Sequence, residues 1–219
     1  MVASEYLPAI KETIKQNEIG DQTPYALCYA RKGKSGASFG CMQGDTNVSP
    51  LARQTLSEVL TASGAPDATT TRIMDALSAP LPDGNPLSAA DTKLVNTALA
   101  SSAGQALVDA MDAKLLEKVL AGLDDCIAAA QQRAMTIVPR ALLYIPPWIN
   151  MSGPPSLLKK WLAGGSALGL APPSPPDITV EEMEAYLQAT AYFQANPRNF
   201  IHYEQCVAKG AELLPMTVA

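Results

Sequence analysis

The chain has 219 residues, of which 47% are hydrophobic and 17% charged, so disorder is excluded over most of its length. Only 5% of the residues are aromatic, and the abundance of alanine and leucine favours helices over a β-sandwich. The formal net charge of −5 makes general nucleic-acid binding a poor candidate. We expect a mostly α (α+β) fold in a single domain over residues 1–219.

The sequence gives no sign of a membrane span, because no apolar run approaches the roughly 18 residues that cross a bilayer. The first residues, MVASEYLPAIKE, also lack the basic-then-apolar pattern of a signal peptide. The location stays open: secreted or periplasmic if a signal has been removed, and otherwise cytoplasmic.

Four cysteines, Cys28, Cys41, Cys126 and Cys206, are too sparse for a disulfide scaffold and show no CxxC spacing. With one histidine in the chain, a zinc site is not expected. We expect ordinary buried thiols, with a local bridge between Cys28 and Cys41 as the alternative. Neither a metal nor an organic cofactor is implied.

The first helix is expected over residues 4–17, with Gly20 as its left-handed terminator. Residues 23–46 differ in character from the rest of the chain. They contain two short strand-like runs that flank the basic, glycine-bearing segment RKGKSG. This pattern predicts a β-hairpin or small sheet whose basic turn, with Arg31, Lys32 and Lys34, is solvated.

The remainder of the chain is expected to be helical, on the basis of capping residues and apolar periodicity. A glycine-then-proline segment at 164–178 is predicted to be an ordered surface loop. The first of the expected helices begins at Ser49-Pro50 and stops at Gly64, and the last runs from Asn196-Pro197 to Gly210. The helices expected between them are 67–78, 89–102 (after Ser88), 105–135 (either continuous or broken near Asp112), 139–151 (one buried helix or a kinked pair) and 180–195 (after Thr179).

Two carboxylates at the edges of the β region are the candidate catalytic residues. Glu18 ends the first helix, and Asp45 follows the second strand-like run. Glycosidic bond cleavage needs one carboxyl group that holds a proton and a second that stays ionised. The negative end of a helix dipole raises the pKa of a carboxyl group, which favours Glu18 as the acid. Asp45 has polar neighbours and is expected to stay charged more easily.

These residues carry a resemblance to a known superfamily. A helix that ends in Glu18, followed by a small sheet with SFGCMQ at 38–43, resembles the lysozyme superfamily. Residues 18–21 resemble the segment around the catalytic acid of bacterial chitosanases. Residues 36–43 resemble the Gly-x-x-Gly-x-Met-Gln element of lytic transglycosylases. Residues 141–153 resemble the buried helix that ends near the cleft in these enzymes.

The resemblance implies a two-lobed, lysozyme-like helical fold with a glycan cleft and a small sheet after the first helix. It implies a monomeric glycoside hydrolase that cleaves a β-linked polysaccharide of the peptidoglycan or chitosan type. Glu18 would be the general acid, and Asp45 would position or activate water. The candidate substrate contacts are Gln43, Ser38, Tyr25, Tyr29 and Asn150.

Several alternatives stay open. Asp21 is a rival for the acid, and Asp45 can instead cap the helix that begins near Pro50. His202 is expected to be partly buried rather than a base, and Trp148 and Trp161 are expected in the core. The chain can also be a non-catalytic glycan-binding or protein-interaction module on the same scaffold. The negative net charge leans towards cationic chitosan among the glycans.

Overall fold

The computed structural model describes residues 4–31 and 33–215, so Lys32 of the predicted basic turn lies outside it. The chain divides into two compact units. One contains the residues up to Gly20 and those from Glu117 onward, and the other contains Asp21–Leu116. The described residues are mostly helical with short strands, which confirms the mostly α class.

The secondary structure begins with a 3-10 turn at Ser4–Tyr6. The helices that follow in the described ranges are α1 Leu7–Glu18, α2 Pro50–Ala62, α3 Asp67–Leu77, α4 Ala89–Ala100, α5 Ser102–Gln131, α6 Pro139–Leu142, α7 Ile145–Ser152, α8 Ser156–Leu162, α9 Val180–Gln188, α10 Ala191–Ala195 and α11 Pro197–Ala211. The strands are β1 Cys28–Tyr29, β2 Ala37–Phe39, β3 Gly44–Asp45, β4 Thr136–Ile137 and β5 Asp177–Ile178.

The Asp21–Leu116 unit contains an antiparallel sheet in the order β1-β2-β3, in which Ser38 lies opposite both Cys28 and Asp45. The sequence placed Asp45 at the end of a second strand, but it lies in a third one. The reason is a tight turn after β2, where Gly40 and Gln43 adopt φ angles of 83° and 49° and reverse the chain.

The core of this unit forms where β2, α2, α3, α4 and the first turns of α5 bring their apolar faces together. The helix starts follow the capping residues in the sequence. Ser49 Oγ accepts a hydrogen bond from Ala52 N (3.2 Å) at the start of α2, and Ser88 Oγ accepts one from Asp91 N (3.1 Å) at the start of α4.

The other unit is built around a close contact between α1 and α11. A Cβ atom at position 210 would lie 1.8 Å from Thr13 Oγ1 and 2.7 Å from the Ala9 carbonyl oxygen. The sequence predicted that Gly210 ends the last helix, which is wrong because α11 continues to Ala211. The absence of a side chain at Gly210 instead lets the two helices approach each other.

Four further helix predictions are resolved by the structure. Residues 139–151 form the kinked pair α6 and α7, and α5 is continuous through Asp112. Thr179 and Glu182 form the predicted capping box of α9. The single helix expected over 180–195 is wrong, because Thr190 is extended (φ −70°, ψ 147°) and separates α9 from α10.

The segment at 164–178 is a loop for most of its length, as predicted, but it ends in a strand that the sequence did not indicate. In that strand, β5 pairs in parallel with β4. All four cysteines are thiols, so the alternative bridge between Cys28 and Cys41 is not formed. Within the described ranges, none of the helices has both the length and the apolar character required to cross a membrane.

Candidate functional site

Glu18 is the last residue of α1, and the helix end fixes its position. The backbone N–H groups of Ile19 and Gly20 both donate to the Lys15 carbonyl oxygen, at 2.9 and 3.1 Å. Gly20 adopts a φ angle of 56°, the left-handed conformation that terminates helices, as the sequence predicted. The Glu18 side chain therefore leaves the chain at the carboxyl end of a helix.

The carboxyl group of Glu18 borders a cavity of about 280 Å³, which we call the Glu18 pocket. Residues of α1, α7, α10 and α11 line it, and all of them belong to the same unit. The lining combines amide groups, aromatic rings and one imidazole, in the side chains of Asn17, Glu18, Met151, Tyr192, Phe193, Asn199, His202 and Tyr203.

Two amide groups hold the Glu18 carboxyl group. Asn150 Nδ2 donates to Glu18 Oε1 at 2.9 Å, and Asn17 Nδ2 donates to the same oxygen at 3.1 Å. Burial raises the pKa of Glu18 above its ordinary value, and the two hydrogen bonds oppose this shift without cancelling it. A carboxyl group that keeps its proton to higher pH is what general acid catalysis near neutral pH requires.

Three neighbours on α11 complete the surroundings of Glu18. Tyr203 is buried and donates a hydrogen bond to the Tyr144 carbonyl oxygen (2.6 Å). Burial and the charge of Glu18 raise the pKa of the Cys206 thiol to about 11. His202 was expected to be partly buried, but it is exposed, with a ring nitrogen 3.5 Å from Cys206 Sγ.

Asp45, the predicted second carboxylate, lies in the Asp21–Leu116 unit, whereas Glu18 belongs to the other unit. Its Oδ1 accepts hydrogen bonds from the backbone N–H groups of Asn47 (2.7 Å) and Val48 (3.3 Å). Gly36 N donates to both carboxylate oxygens, at 3.1 and 3.0 Å. Asp45 thus stabilises the turn that leads to α2, but the residue that caps this helix is Ser49.

Gln43 and Ser38, two predicted substrate contacts, are held within the sheet region. Gln43 Nε2 donates to the Gly40 carbonyl oxygen (3.1 Å), and Cys28 Sγ donates to Gln43 Oε1 (3.2 Å). Ser38 is buried in β2. The two contacts give the Gln43 side chain a structural role beside the sheet.

The two tyrosines proposed as sugar contacts are half-buried against the core of the Asp21–Leu116 unit. Tyr25 Oη donates to Asp109 Oδ1, and Tyr29 Oη donates to Asn85 Oδ1, each at 2.9 Å. Burial is the largest cause that raises the pKa of each tyrosine to about 12. Both phenols are therefore neutral hydrogen-bonding groups near neutral pH.

Sequence reasoning missed Asp112, which holds the turn after β2. Its carboxylate accepts hydrogen bonds from Cys41 N (2.7 Å) and Met42 N (3.1 Å). Burial raises the pKa of Asp112 to about 6, although these two bonds act in the opposite direction. A Cβ atom at Gly40 would lie 2.5 Å from Asp112 Oδ1, so glycine is required there. Nothing in the sequence distinguishes Asp112 from Asp109, which lies three residues earlier in the same helical stretch.

Among the predicted site residues, the structure joins Glu18 to Asn150 by a hydrogen bond and places Ser38 opposite Asp45 in the sheet. The rival acid, Asp21, is exposed. In the part of the chain that the structure describes, no group of three or more His, Cys, Asp or Glu side chains could hold a metal ion. Comparison of the chain with family models, with curated proteins and with solved structures found no match.

Proposed function

We propose that the protein is a glycoside hydrolase that cleaves a β-linked polysaccharide of amino sugars, with Glu18 as the general acid. The observation that carries this proposal is the half-buried Glu18, whose carboxyl group borders a pocket and has a raised pKa. In the proposed step, Glu18 gives its proton to the oxygen of the leaving sugar while the glycosidic bond breaks. Water forms the new bond to the anomeric carbon and gives its proton to the second carboxylate or to solvent. The hydrogen bond from the Asn150 amide holds the Glu18 carboxyl group in one orientation.

The lining of the Glu18 pocket suits a sugar. Pyranose rings offer apolar faces to aromatic side chains and hydroxyl groups to polar ones. The pocket provides both kinds of contact, with Tyr192 and Phe193 as aromatic walls and Asn199 and His202 as polar ones. Peptidoglycan and chitosan-type chains are the proposed substrates, and the net charge of −5 favours the cationic chitosan.

Asp45 stays the predicted second carboxylate, the group that would position or activate water. Asp45 also accepts hydrogen bonds from three backbone N–H groups, which stabilise the turn before α2. A loss of activity in an Asp45 variant therefore has to be separated from a loss of folding.

A glycan-binding protein without hydrolytic activity is the second candidate. The aromatic and amide lining of the Glu18 pocket favours it, because these groups bind a sugar whether or not a bond is cleaved. Binding of oligosaccharides by a wild-type protein that cleaves none of the polymers would select this function.

The test compares Glu18→Gln with Asp21→Asn in assays of reducing-end release from chitosan, chitin and peptidoglycan. Glu18→Gln keeps the shape of the side chain but cannot donate a carboxyl proton, so we expect a loss of about 100-fold or more. Asp21→Asn changes an exposed carboxylate three residues away and is expected to retain activity. Equal activity of wild type and Glu18→Gln, or a selective loss in Asp21→Asn, would contradict the assignment of the acid.

A further inference from the structure

A second cavity lies in the same unit as the Glu18 pocket. We call it the aromatic pocket; it has a volume of about 330 Å³ and lies among α7, α8, the junction of α9 and α10, and the loop at Leu168. Its lining includes three aromatic side chains, those of Trp148, Tyr186 and Tyr192, together with the hydroxyl-bearing Ser152 and Ser156. Trp148 was expected in the core, but it is only half-buried.

Tyr192 lines both cavities, so the two cavities share one side chain. Its position is fixed from several sides. Asn199 Nδ2 donates to Tyr192 Oη (2.9 Å), and Asn196 Nδ2 donates to its carbonyl oxygen (2.9 Å). Its ring meets the ring of Phe193 edge-on, with centroids 5.0 Å apart. Tyr192 nevertheless keeps 38% of its surface exposed, so it is an ordered wall that a ligand can reach.

We propose that the aromatic pocket binds a second sugar unit of the same glycan chain whose neighbouring unit occupies the Glu18 pocket. The proposal rests on the proposed function, since it assigns the Glu18 pocket to a glycan. The shared side chain of Tyr192 identifies the occupant, because sugars bound in the two cavities would both lie against this one residue.

The chemistry of the aromatic pocket fits one sugar ring. Its volume is near the lower end of the range for small-molecule sites, roughly 300–1,000 Å³, which suits a single unit better than a long segment. The rings of Trp148 and Tyr192 offer flat apolar surfaces, and the hydroxyl group of Ser156 offers a partner for the edge of a sugar. The Ser152 hydroxyl donates to the Trp148 carbonyl oxygen (2.7 Å), so it offers its oxygen as an acceptor. The protein would then prefer long chains to short ones.

Filling the aromatic pocket tests the proposal. Ala191→Trp places a large ring at an exposed position that lines this cavity but not the Glu18 pocket. Ala195→Trp is the matched control, since Ala195 is exposed on the same helix and lines neither cavity. Both changes are made in the Glu18→Gln background to prevent cleavage. Calorimetry then measures binding of the single sugar glucosamine and of its β-linked hexamer, in acetylated and deacetylated form.

We expect Ala191→Trp to weaken hexamer binding by tenfold or more and to leave binding of the single sugar in the Glu18 pocket unchanged. Ala195→Trp is expected to change neither. Ser156→Trp fills the same cavity from another helix and replaces Ala191→Trp if that variant does not fold. Equal hexamer affinity in the filled variants and in Ala195→Trp would overturn the proposal.

Failure of this proposal and failure of the proposed function give different results. If the wild type cleaves polymers but the filled variants bind the hexamer normally, the aromatic pocket is wrongly assigned and the hydrolase remains. If the wild type cleaves nothing and the filled variants still lose hexamer affinity, the pocket is correctly assigned and hydrolysis is wrong. If none of the variants binds the single sugar or the hexamer, both assignments are wrong.

Discussion

At Glu18, burial and hydrogen bonding act on the same carboxyl group in opposite directions. Burial raises its pKa, and the amide groups of Asn150 and Asn17 lower it, with burial the larger effect. The two amides also hold Oε1 in place, at 2.9 and 3.1 Å. A carboxyl group can in this way be both well ordered and protonated at a pH where an exposed glutamate is ionised.

At Asp45, the hydrogen bonds come from the backbone: its carboxylate accepts them from three backbone N–H groups. Asp45→Asn removes the charge and one acceptor oxygen, so we expect the free energy of unfolding to fall by roughly 1–3 kcal/mol. Urea unfolding measures the change, with exposed Asp21→Asn as the reference, expected within about 0.5 kcal/mol of wild type.

Glycan cleavage by Asp45→Asn, assayed at a temperature where the variant is folded, separates the two roles of this residue. A loss of activity in the folded variant supports the predicted role as second carboxylate. Full activity would show that Asp45 stabilises the turn and takes no part in catalysis. An unchanged free energy of unfolding would contradict the structural role.

Asp112 makes the stability of the Asp21–Leu116 unit depend on pH. Its pKa is about 6 in the folded chain, above the value of about 3.9 expected when it is unfolded. The folded state therefore binds the proton more tightly, and the stabilisation is complete below about pH 4 and lost as the pH rises through about 6. We expect wild type to lose stability relative to Asp112→Asn between pH 4.5 and 7.5.

Urea unfolding of wild type and Asp112→Asn at pH 4.5, 5.5 and 7.5 measures this difference. Asp83→Asn, which removes an exposed carboxylate from the same unit, is the reference for the change in net charge. A difference between wild type and Asp112→Asn that is the same at all three pH values would contradict the account.

On the scale of whole elements, the contact between α1 and α11 matters most for the Glu18 pocket, because both helices supply side chains to it. Gly210 sets their separation, since a Cβ atom there would overlap Thr13 Oγ1. The approach of the two helices thus depends on a single missing side chain.

Gly210→Ala forces α1 and α11 apart or displaces Thr13. Although alanine favours helices, we expect overpacking to lower the free energy of unfolding by roughly 1–3 kcal/mol. Thermal and urea unfolding measure the effect, and Gln205→Ala, at an exposed position of α11, is the control. A variant as stable as wild type would show that the helices accommodate the methyl group without cost.

For the molecule as a whole, the sequence was most informative where structure is local. Helix starts follow from Ser49, Ser88 and Thr179, whose side chains accept bonds from residues three positions away. The end of α1 at Glu18 and Gly20 is local in the same sense. The pattern of such caps could be predicted because each depends on a few consecutive residues.

Contacts between distant residues could not be predicted. Asp112 accepts a hydrogen bond from Cys41, 71 positions earlier, and Asn150 donates one to Glu18, 132 positions earlier. The resemblance of residues 141–153 indicated Asn150 but not its partner. Gly210 looks like a helix terminator in sequence, and only its packing against α1 explains why it lies inside α11. The Glu18 pocket combines helices from both ends of the chain, so no sequence window contains it.

The central claim is that Glu18 donates the proton that cleaves a glycan, and the pH dependence of cleavage tests it most directly. Reducing-end release from chitosan and peptidoglycan is measured from pH 4 to 9 for wild type and Glu18→Gln. We predict that the wild-type rate falls as the pH rises through a midpoint above the ordinary glutamate pKa of about 4.3. We predict that the rate of Glu18→Gln is lower by about 100-fold or more across the range. Glu18→Gln activity equal to wild type, or a wild-type rate that does not fall at high pH, would contradict the claim.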